Sequence, residues 1–224
     1  MLEVHGRQVL TTLEELVDPR HTALLIIDMQ HDFCSEGGLM HETGHDLSSV
    51  RAAAEQLRHV LDRARAAGVL PVHIQARSLP KHASSSGPWL LFMVVRYGMD
   101  PERGCTVEGT WGAEIIDEVA PRPGEIVVTK ARSSAFVGTT LDMVLRCHGI
   151  KTVVVTGVVT QGCVESTARD AMYHDYYTVV LEDCVATYDR GLHEAALKVL
   201  ASRMDVVPSE HVLKLWAEGP PPAA

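Results

Sequence analysis

The 224-residue sequence contains no run of about 18 apolar residues, the length a helix needs to cross a membrane. Its first residues, "MLEVHGRQVLTTLEELVDPRH", alternate apolar and charged side chains. They lack the basic start and apolar block of a secretory signal. Basic charge is in deficit: 20 Lys and Arg stand against 29 Asp and Glu, a formal net charge of −9. Nucleic-acid binders usually carry a basic face, so no nucleic-acid partner is expected, and nothing here draws the chain to an anionic membrane. Paired cysteines are also missing. Cys34, Cys105, Cys147, Cys163 and Cys184 are odd in number, scattered and free of any CxxC spacing, which points to a reduced, cytoplasmic protein. There is no internal repeat and no low-complexity segment. Only "EGPPPAA" at the end reads as disordered, because three consecutive prolines offer no backbone donors. The expected organisation is one domain over 1–218 and a disordered tail over 219–224.

Hydrophobic residues make up 46% of the chain, enough for a real core. Short β-rich runs stand out: "ALLII" at 23–27, "VLPVHIQ" at 69–75, "EIVVTK" at 125–130, "TVVVT" at 152–156, "YTVVLED" at 177–183 and "DVVP" at 205–208. Four of them are nearly continuous apolar strings, the pattern of parallel strands buried on both faces. Helical spacing fills the gaps. Leu47, Val50, Ala54, Leu57 and Leu61 recur at three and four within 46–67, and Gly68 offers a stop. "TTLDMVLRCHG", the stretch after Cys163, and the set Leu192, Ala195, Ala196, Val199 and Leu200 repeat the pattern. Strands alternating with helices predict an α/β fold: a three-layer, open, mostly parallel six-stranded sheet with helices on both faces. The exception is 78–124, too long for an ordinary connection. It is expected to cover the active edge of the sheet, with a short helix near Ala113–Val119.

Ligands of open α/β sheets bind beyond the carboxyl ends of the strands. Three chemically capable residues sit at such ends. Asp28 follows "TALLII", Lys130 ends "EIVVT", and Cys163 follows "TVVVTG", where the strand is expected to break at Gly157. Each has a bland alternative. Asp28 could cap a turn, Lys130 could be a surface lysine, and a single cysteine is most often a small buried apolar residue. Their joint delivery to one rim by three neighbouring strands favours chemistry. A thiolate is the nucleophile, so the thiol pKa must fall. A helix start and a nearby ammonium both favour the anion. The aspartate can take the thiol proton and hand it to a leaving amine. The turn "GVVTQGC" could present the Val159 and Cys163 amides as an oxyanion hole.

These same segments carry a family resemblance. "ALLIIDMQHDFC", "GTWGAEIIDEVAPRPGEIVVTKARSSAF", "TVVVTGVVTQGCVESTARDA" and "VVLEDCVAT" are similar, in order, to the isochorismatase-like cysteine hydrolases. The resemblance spans about residues 20 to 190. It implies a Rossmann-like fold, an Asp28–Lys130–Cys163 triad and a thioester acyl-enzyme resolved by water. It also implies a cis Val158–Val159 peptide and a homodimer or homotetramer. Two departures narrow the substrate. Nicotinamidases of the family carry an Asp-x-His…His metal site, and no Asp-x-His occurs here, so no metal or other cofactor is expected. His41 and His45 read as solvated loop residues rather than ligands. True isochorismatases cleave a vinyl ether without needing the cysteine, so the full triad favours a C–N bond of a small linear amide, ureido or carbamoyl compound. "SAF" after the lysine and the Asp32–Phe33 pair resemble the carbamoylsarcosine, ureidoacrylate and biuret side of the family.

Candidate substrate contacts are Phe33 and Phe136 as pocket walls, with core packing as the alternative. Gln75 is a candidate at the second strand's end, Arg132 and Arg77 for a substrate carboxylate, and Trp111 and Trp89 in a lid or subunit contact. Arg169 and Asp170 read as helix-surface or ion-pair residues, and the other four cysteines as structural thiols. Two further readings stay open: a vinyl-ether hydrolase and a catalytically silent binding scaffold.

Overall fold

The computed structural model describes residues 1–218; the expected tail, 219–224, lies outside the described residues. The chain opens with an antiparallel hairpin, β1 (Leu2–Val4) and β2 (Arg7–Val9), and a single helical turn, α1 (Leu13–Leu16). Strand β3 (Thr22–Ile27) then enters the core. It is followed by the short helices α2 (His31–Cys34) and α3 (Leu39–Glu42) and by the long α4 (Ser48–Ala67). Next come β4 (Leu70–Ala76), the short α5 (Gly87–Leu90), β5 (Ile126–Lys130) and α6 (Leu141–Cys147). The last part comprises β6 (Thr152–Val158), α7 (Glu165–Tyr173), β7 (Tyr177–Ala186), α8 (Arg190–Ala201), β8 (Asp205–Val207) and α9 (Ser209–Glu218).

Six strands form one sheet in the order β5-β4-β3-β6-β7-β8, and every neighbouring pair is parallel. The chain steps outward from β3 to β4 and β5, then returns to the other side of β3 with β6. The order therefore reverses between β3 and β6, and such a reversal opens a crevice at the carboxyl ends.

The apolar strings are explained by the two faces they serve. Leu24 and Ile26 of β3 pack with Val154 and Leu181 against Leu57 and Leu61 of α4 and Trp216 of α9. Leu25 and Ile27, one residue out of phase, pack with Val153 and Val155 against Leu141, Ala168 and Leu200 of α6, α7 and α8. Alternate side chains point to opposite faces, so a strand covered on both must be apolar throughout. Helix α4 stops where expected: Gly68 sits at φ 80°, and its amide caps the Ala64 and Arg65 carbonyls. On α8, Ala196 and Leu200 are buried, but Leu192 and Val199 remain largely exposed.

Two expectations are corrected. Strand β6 does not break at Gly157 but runs through it to Val158, with Gly157 opposite Ile27 of β3. Gly157 is at φ +106°, and a Cβ placed there would lie 2.1 Å from the Ile27 carbonyl oxygen. Glycine at this point marks close strand approach, not strand termination. The expected helix near Ala113–Val119 is instead two 3₁₀ turns, Trp111–Ala113 and Asp117–Val119. Between them the backbone is extended, because it bridges Gln30 through Ile115. His31 N–H donates to Glu114 O, and Ile116 N–H donates to Met29 O. Those bonds to another segment replace the internal bonds a helix would need.

The Gly157 contact is testable. Gly157→Ala adds an atom where none fits, at a backbone angle disfavoured for other residues. It should cost about 3 kcal/mol in urea unfolding. A loss below about 1 kcal/mol would mean that β3 and β6 separate freely at this point.

Candidate active site

Asp28 follows β3 directly. Its backbone is left-handed at φ 52°, a region aspartate tolerates better than most residues. The Asp28 amide donates to Ile74 O at 2.9 Å, which ties the turn to β4. The carboxylate is buried and lies 2.8 Å, through Oδ2, from Lys130 Nζ. Neither carboxylate oxygen receives a well-angled hydrogen bond, so both keep capacity to accept a proton. Lys130 is the last residue of β5. It is not on a strand next to β3, as expected, because β4 intervenes. Its long side chain reaches past the end of β4. Its Nζ donates to Cys163 Sγ at 3.2 Å and to Arg132 O at 3.0 Å. Asp28 is its third neighbour, held as an ion pair.

Cys163 lies on a π-helical turn, Thr160–Val164, that leads from β6 into α7. The Gly162 and Val164 amides both donate to Val159 O, at 3.0 and 3.3 Å, and close this turn. Among the described residues no backbone carbonyl takes the Val159 amide. The Val158–Val159 peptide is cis. His193 of α8 meets the Thr160 hydroxyl at 2.9 Å and pins the turn from below.

The electrostatics differ from the expected lowering of the thiol pKa. Burial first, and the Asp28 carboxylate second, push Cys163 up to about 12, against the opposing pull of Lys130. Burial also weighs against the Lys130 charge, yet Asp28 and Cys163 together hold that ammonium above the ordinary lysine value. Burial and the Asp28 carboxylate thus favour the thiol form of Cys163, while Lys130 favours the thiolate. The helix start does not overcome the desolvation of the sulfur.

These groups open into a cavity of about 210 Å³. Phe33 and Arg132 line it, together with Trp89 and Arg77. Gln161 also lines it, and its Oε1 has no partner. Gln75, Phe136 and Trp111 do not line it. The Gln75 amide donates to Ala113 O at 2.7 Å, which turns it to the far side of the strand end. Phe136 is buried in the core and stacks on His174 and Tyr176. Trp111 is 47% exposed and stacks on His31 at 4.3 Å. Phe136 follows its core-packing alternative, and the wall it could have formed comes from 78–124. There α5 and a π turn, Leu91–Arg96, supply Trp89, Phe92 and Met93. His41 accepts from the Gly37 amide, and His45 stacks on Tyr188. Among the described residues no group of three His, Cys, Asp or Glu side chains is arranged to hold a metal ion. Arg169 pairs with Glu165 on α7.

Two buried polar residues that hold this rim together escaped the sequence reading in that role. Gln30 bonds Ala76 through both its amide atoms and donates to Ala113 O, joining the ends of β3 and β4 to the 78–124 excursion. Asp32 accepts from the Thr106 amide at 2.6 Å, the Leu39 amide at 3.1 Å and Arg103 at 3.0 Å. Gly112 packs so close that a Cβ there would meet Asp32 Oδ1 at 2.4 Å. The only outward sign was the polar cluster "DMQHD" inside an otherwise apolar strand end.

A parallel sheet with an acid, an ammonium and a thiol converging at its carboxyl rim defines a class of hydrolase. The model of the isochorismatase domain matches residues 22–210. Ureidoacrylate amidohydrolase RutB of Agrobacterium fabrum (strain C58) is 36% identical over 180 residues, 77% of this chain and 78% of that protein. An isochorismatase family protein from Desulfovibrio vulgaris subsp. vulgaris str. Hildenborough superposes with a TM-score of 0.75 at 31% identity, over 88% of this chain and 99% of that one. N-carbamoylsarcosine amidase from Thermoplasma acidophilum gives 0.66 at 29% identity, over 85% and 97%. This chain belongs to the isochorismatase-like hydrolase family.

The thiol electrostatics have a direct readout. Alkylation of Cys163 by iodoacetamide, followed by peptide mass spectrometry because Cys147 is also exposed, should keep rising with pH above about pH 9. Asp28→Asn removes one cause of the high pKa and should speed alkylation near neutral pH by about tenfold for each unit of pKa released. A parent profile that levels off near pH 7 would show that Lys130 outweighs burial.

Proposed function

We propose that this protein is a metal-independent cysteine amidohydrolase that cleaves a C–N bond of a small amide, ureido or carbamoyl compound. The observation that carries this reading is the buried Lys130 ammonium, which donates to the Cys163 sulfur and is ion-paired at 2.8 Å with the Asp28 carboxylate. The names of two relatives, a ureidoacrylate amidohydrolase and an N-carbamoylsarcosine amidase, support the same bond type.

In the proposed cycle Asp28 takes the Cys163 proton as the sulfur attacks the substrate carbonyl carbon. The C–S bond forms, and the carbonyl π electrons move to oxygen. The Val159 and Cys163 amides receive that oxyanion; one such donor is typically worth about 10²–10³ in rate. Lys130 balances the charge while the proton is in transit. Asp28 then protonates the departing nitrogen, the C–N bond breaks, and ammonia or an amine leaves a thioester on Cys163. Water, deprotonated by Asp28, hydrolyses the thioester and restores the thiol. Phe33 and Arg132 are the substrate contacts in this reading. The five free cysteines support a reducing, cytoplasmic setting. Exposed Leu192 and Val199 on α8 leave apolar surface for a homodimer or homotetramer.

Ammonia release should be measured across ureido acids, biuret, N-carbamoyl amino acids, maleamate and nicotinamide. Cys163→Ala is expected to abolish turnover while the circular dichroism spectrum stays unchanged. Asp28→Asn and Lys130→Ala should each lower kcat by about 10²-fold or more. EDTA should leave the rate unchanged. Full activity in Cys163→Ala would sink the nucleophile assignment and favour vinyl-ether hydrolysis, whereas inhibition by EDTA would overturn the metal-free mechanism.

A further inference from the structure

The cavity is chemically lopsided. One end holds Lys130, the Cys163 thiol and Gln161, whose Oε1 is buried without a partner. The rest is apolar. Trp89, Phe92 and Met93 come from α5 and its π turn, Tyr97 and Met99 follow, and Phe33 faces them from α2. The aromatic rings form a continuous row: Trp89 and Phe92 are 5.3 Å apart between centroids, and Phe92 and Tyr97 are 5.4 Å apart. This is more apolar wall than the compact amide and ureido groups at the reacting end can cover.

The cations at the cavity are engaged elsewhere. Arg77 is exposed and pairs with Glu108 at 3.0 Å. The Arg132 guanidinium lies 5.0 Å over the Trp89 ring and donates to the Ser84 and Ala131 carbonyls. Arg132 therefore extends the flat face of Trp89 as well as carrying charge. Among the described residues that line the cavity, no buried, uncommitted cation waits along the wall for a substrate carboxylate.

We propose that the site selects amides and ureas whose acyl side carries an apolar, aromatic group, with ammonia as the leaving group. The proposal rests on the amidohydrolase reading and names its substrate class. The carbonyl lies between Cys163 and the Val159 amide, with Gln161 accepting an N–H of the substrate. The ring seats against Trp89, Phe92 and Met93. Transfer of that ring from water to the wall is the source of selectivity, since apolar area removed from water contributes in proportion to its size. Even one methylene in an apolar pocket discriminates by about tenfold or more.

The test uses neutral pairs that share the reacting group and differ only in the acyl substituent: 3-phenylpropionamide against acetamide, and benzylurea against methylurea. Ammonia release should give kcat/KM at least about tenfold higher for the phenyl member of each pair. Trp89→Ala and Met93→Ala should each shrink that ratio. In parallel, titration calorimetry on Cys163→Ser should find 3-phenylpropionamide bound at least about tenfold tighter than acetamide. Equal rates and equal affinities within the pairs would overturn the substrate class even if every amide is hydrolysed. Tight, selective binding with no turnover and no acyl adduct on Cys163 in the parent would leave the apolar site standing and refute the hydrolase reading instead.

Discussion

Everything at the carboxyl rim depends on one buried ion pair, Lys130 with Asp28, 2.8 Å apart and closed off from water. Burying two charges costs several kcal/mol per ion before their attraction is counted. The cost is offset only if the geometry is tight and the remaining donors are satisfied. Here the third and second donors of Lys130 go to the Arg132 carbonyl and the Cys163 sulfur. The ammonium thus joins the ends of β3 and β5 and the turn before α7 at a single point. Removing it would leave a carboxylate in a dry site with nothing to balance it. That is why the acid and the thiol, 135 positions apart in the chain, can be treated as one chemical unit.

The scaffold meets that demand through strand placement. Parallel pairing puts all carboxyl ends on one side, and reversal of strand order between β3 and β6 brings Asp28 and the Cys163 turn to the same crevice. Close approach at Gly157 draws β6 against Ile27, the residue before Asp28. Lys130 comes from two strands away, and length makes up the difference: lysine is the cation whose flexible stem can cross the end of β4. A shorter residue at that position could not make the pair.

The strands and the three residues that converge at the rim were legible in the sequence because they obey local rules. A strand buried on both faces is a continuous apolar string, and a polar residue that ends such a string is conspicuous. Asp28, Lys130 and Cys163 stand out for that reason. Gln75 also ends a strand, but its amide is spent on the Ala113 carbonyl, and no local pattern separates a ligand contact from a backbone tether. Phe136 and Trp111 failed as pocket walls because an aromatic residue can stack on any nearby ring, here His174 and His31. The 78–124 excursion was illegible for a deeper reason. Its shape is set by long-range tethers, through Gln30 and Asp32, that sit more than seventy residues away from Thr106 and Ala113. Such a segment has no periodicity to read, and its helix near Ala113–Val119 dissolved into pairing with Gln30.

The elevated thiol pKa is the point at which geometry changes the mechanism inferred from residue types. A pre-formed thiolate would be a stronger resting nucleophile, but it would leave the site short of a proton. Amide cleavage needs one, because a nitrogen anion is a poor leaving group. In the proposed cycle the raised thiol pKa keeps on the sulfur the proton that must reach the departing nitrogen. Asp28, with both oxygens free to accept, is placed to carry it from one to the other. Burial raises the thiol pKa and so stores the proton, while Lys130 limits the penalty of releasing it. On this view the two opposing influences on Cys163 have separate tasks, one in the resting enzyme and one during attack. The apolar wall built by the excursion then serves the chemistry as well as selection. In the proposed substrate class, an aromatic group seated on it would exclude water from the sulfur, and the charge interactions among Asp28, Lys130 and Cys163 would strengthen as the local dielectric falls.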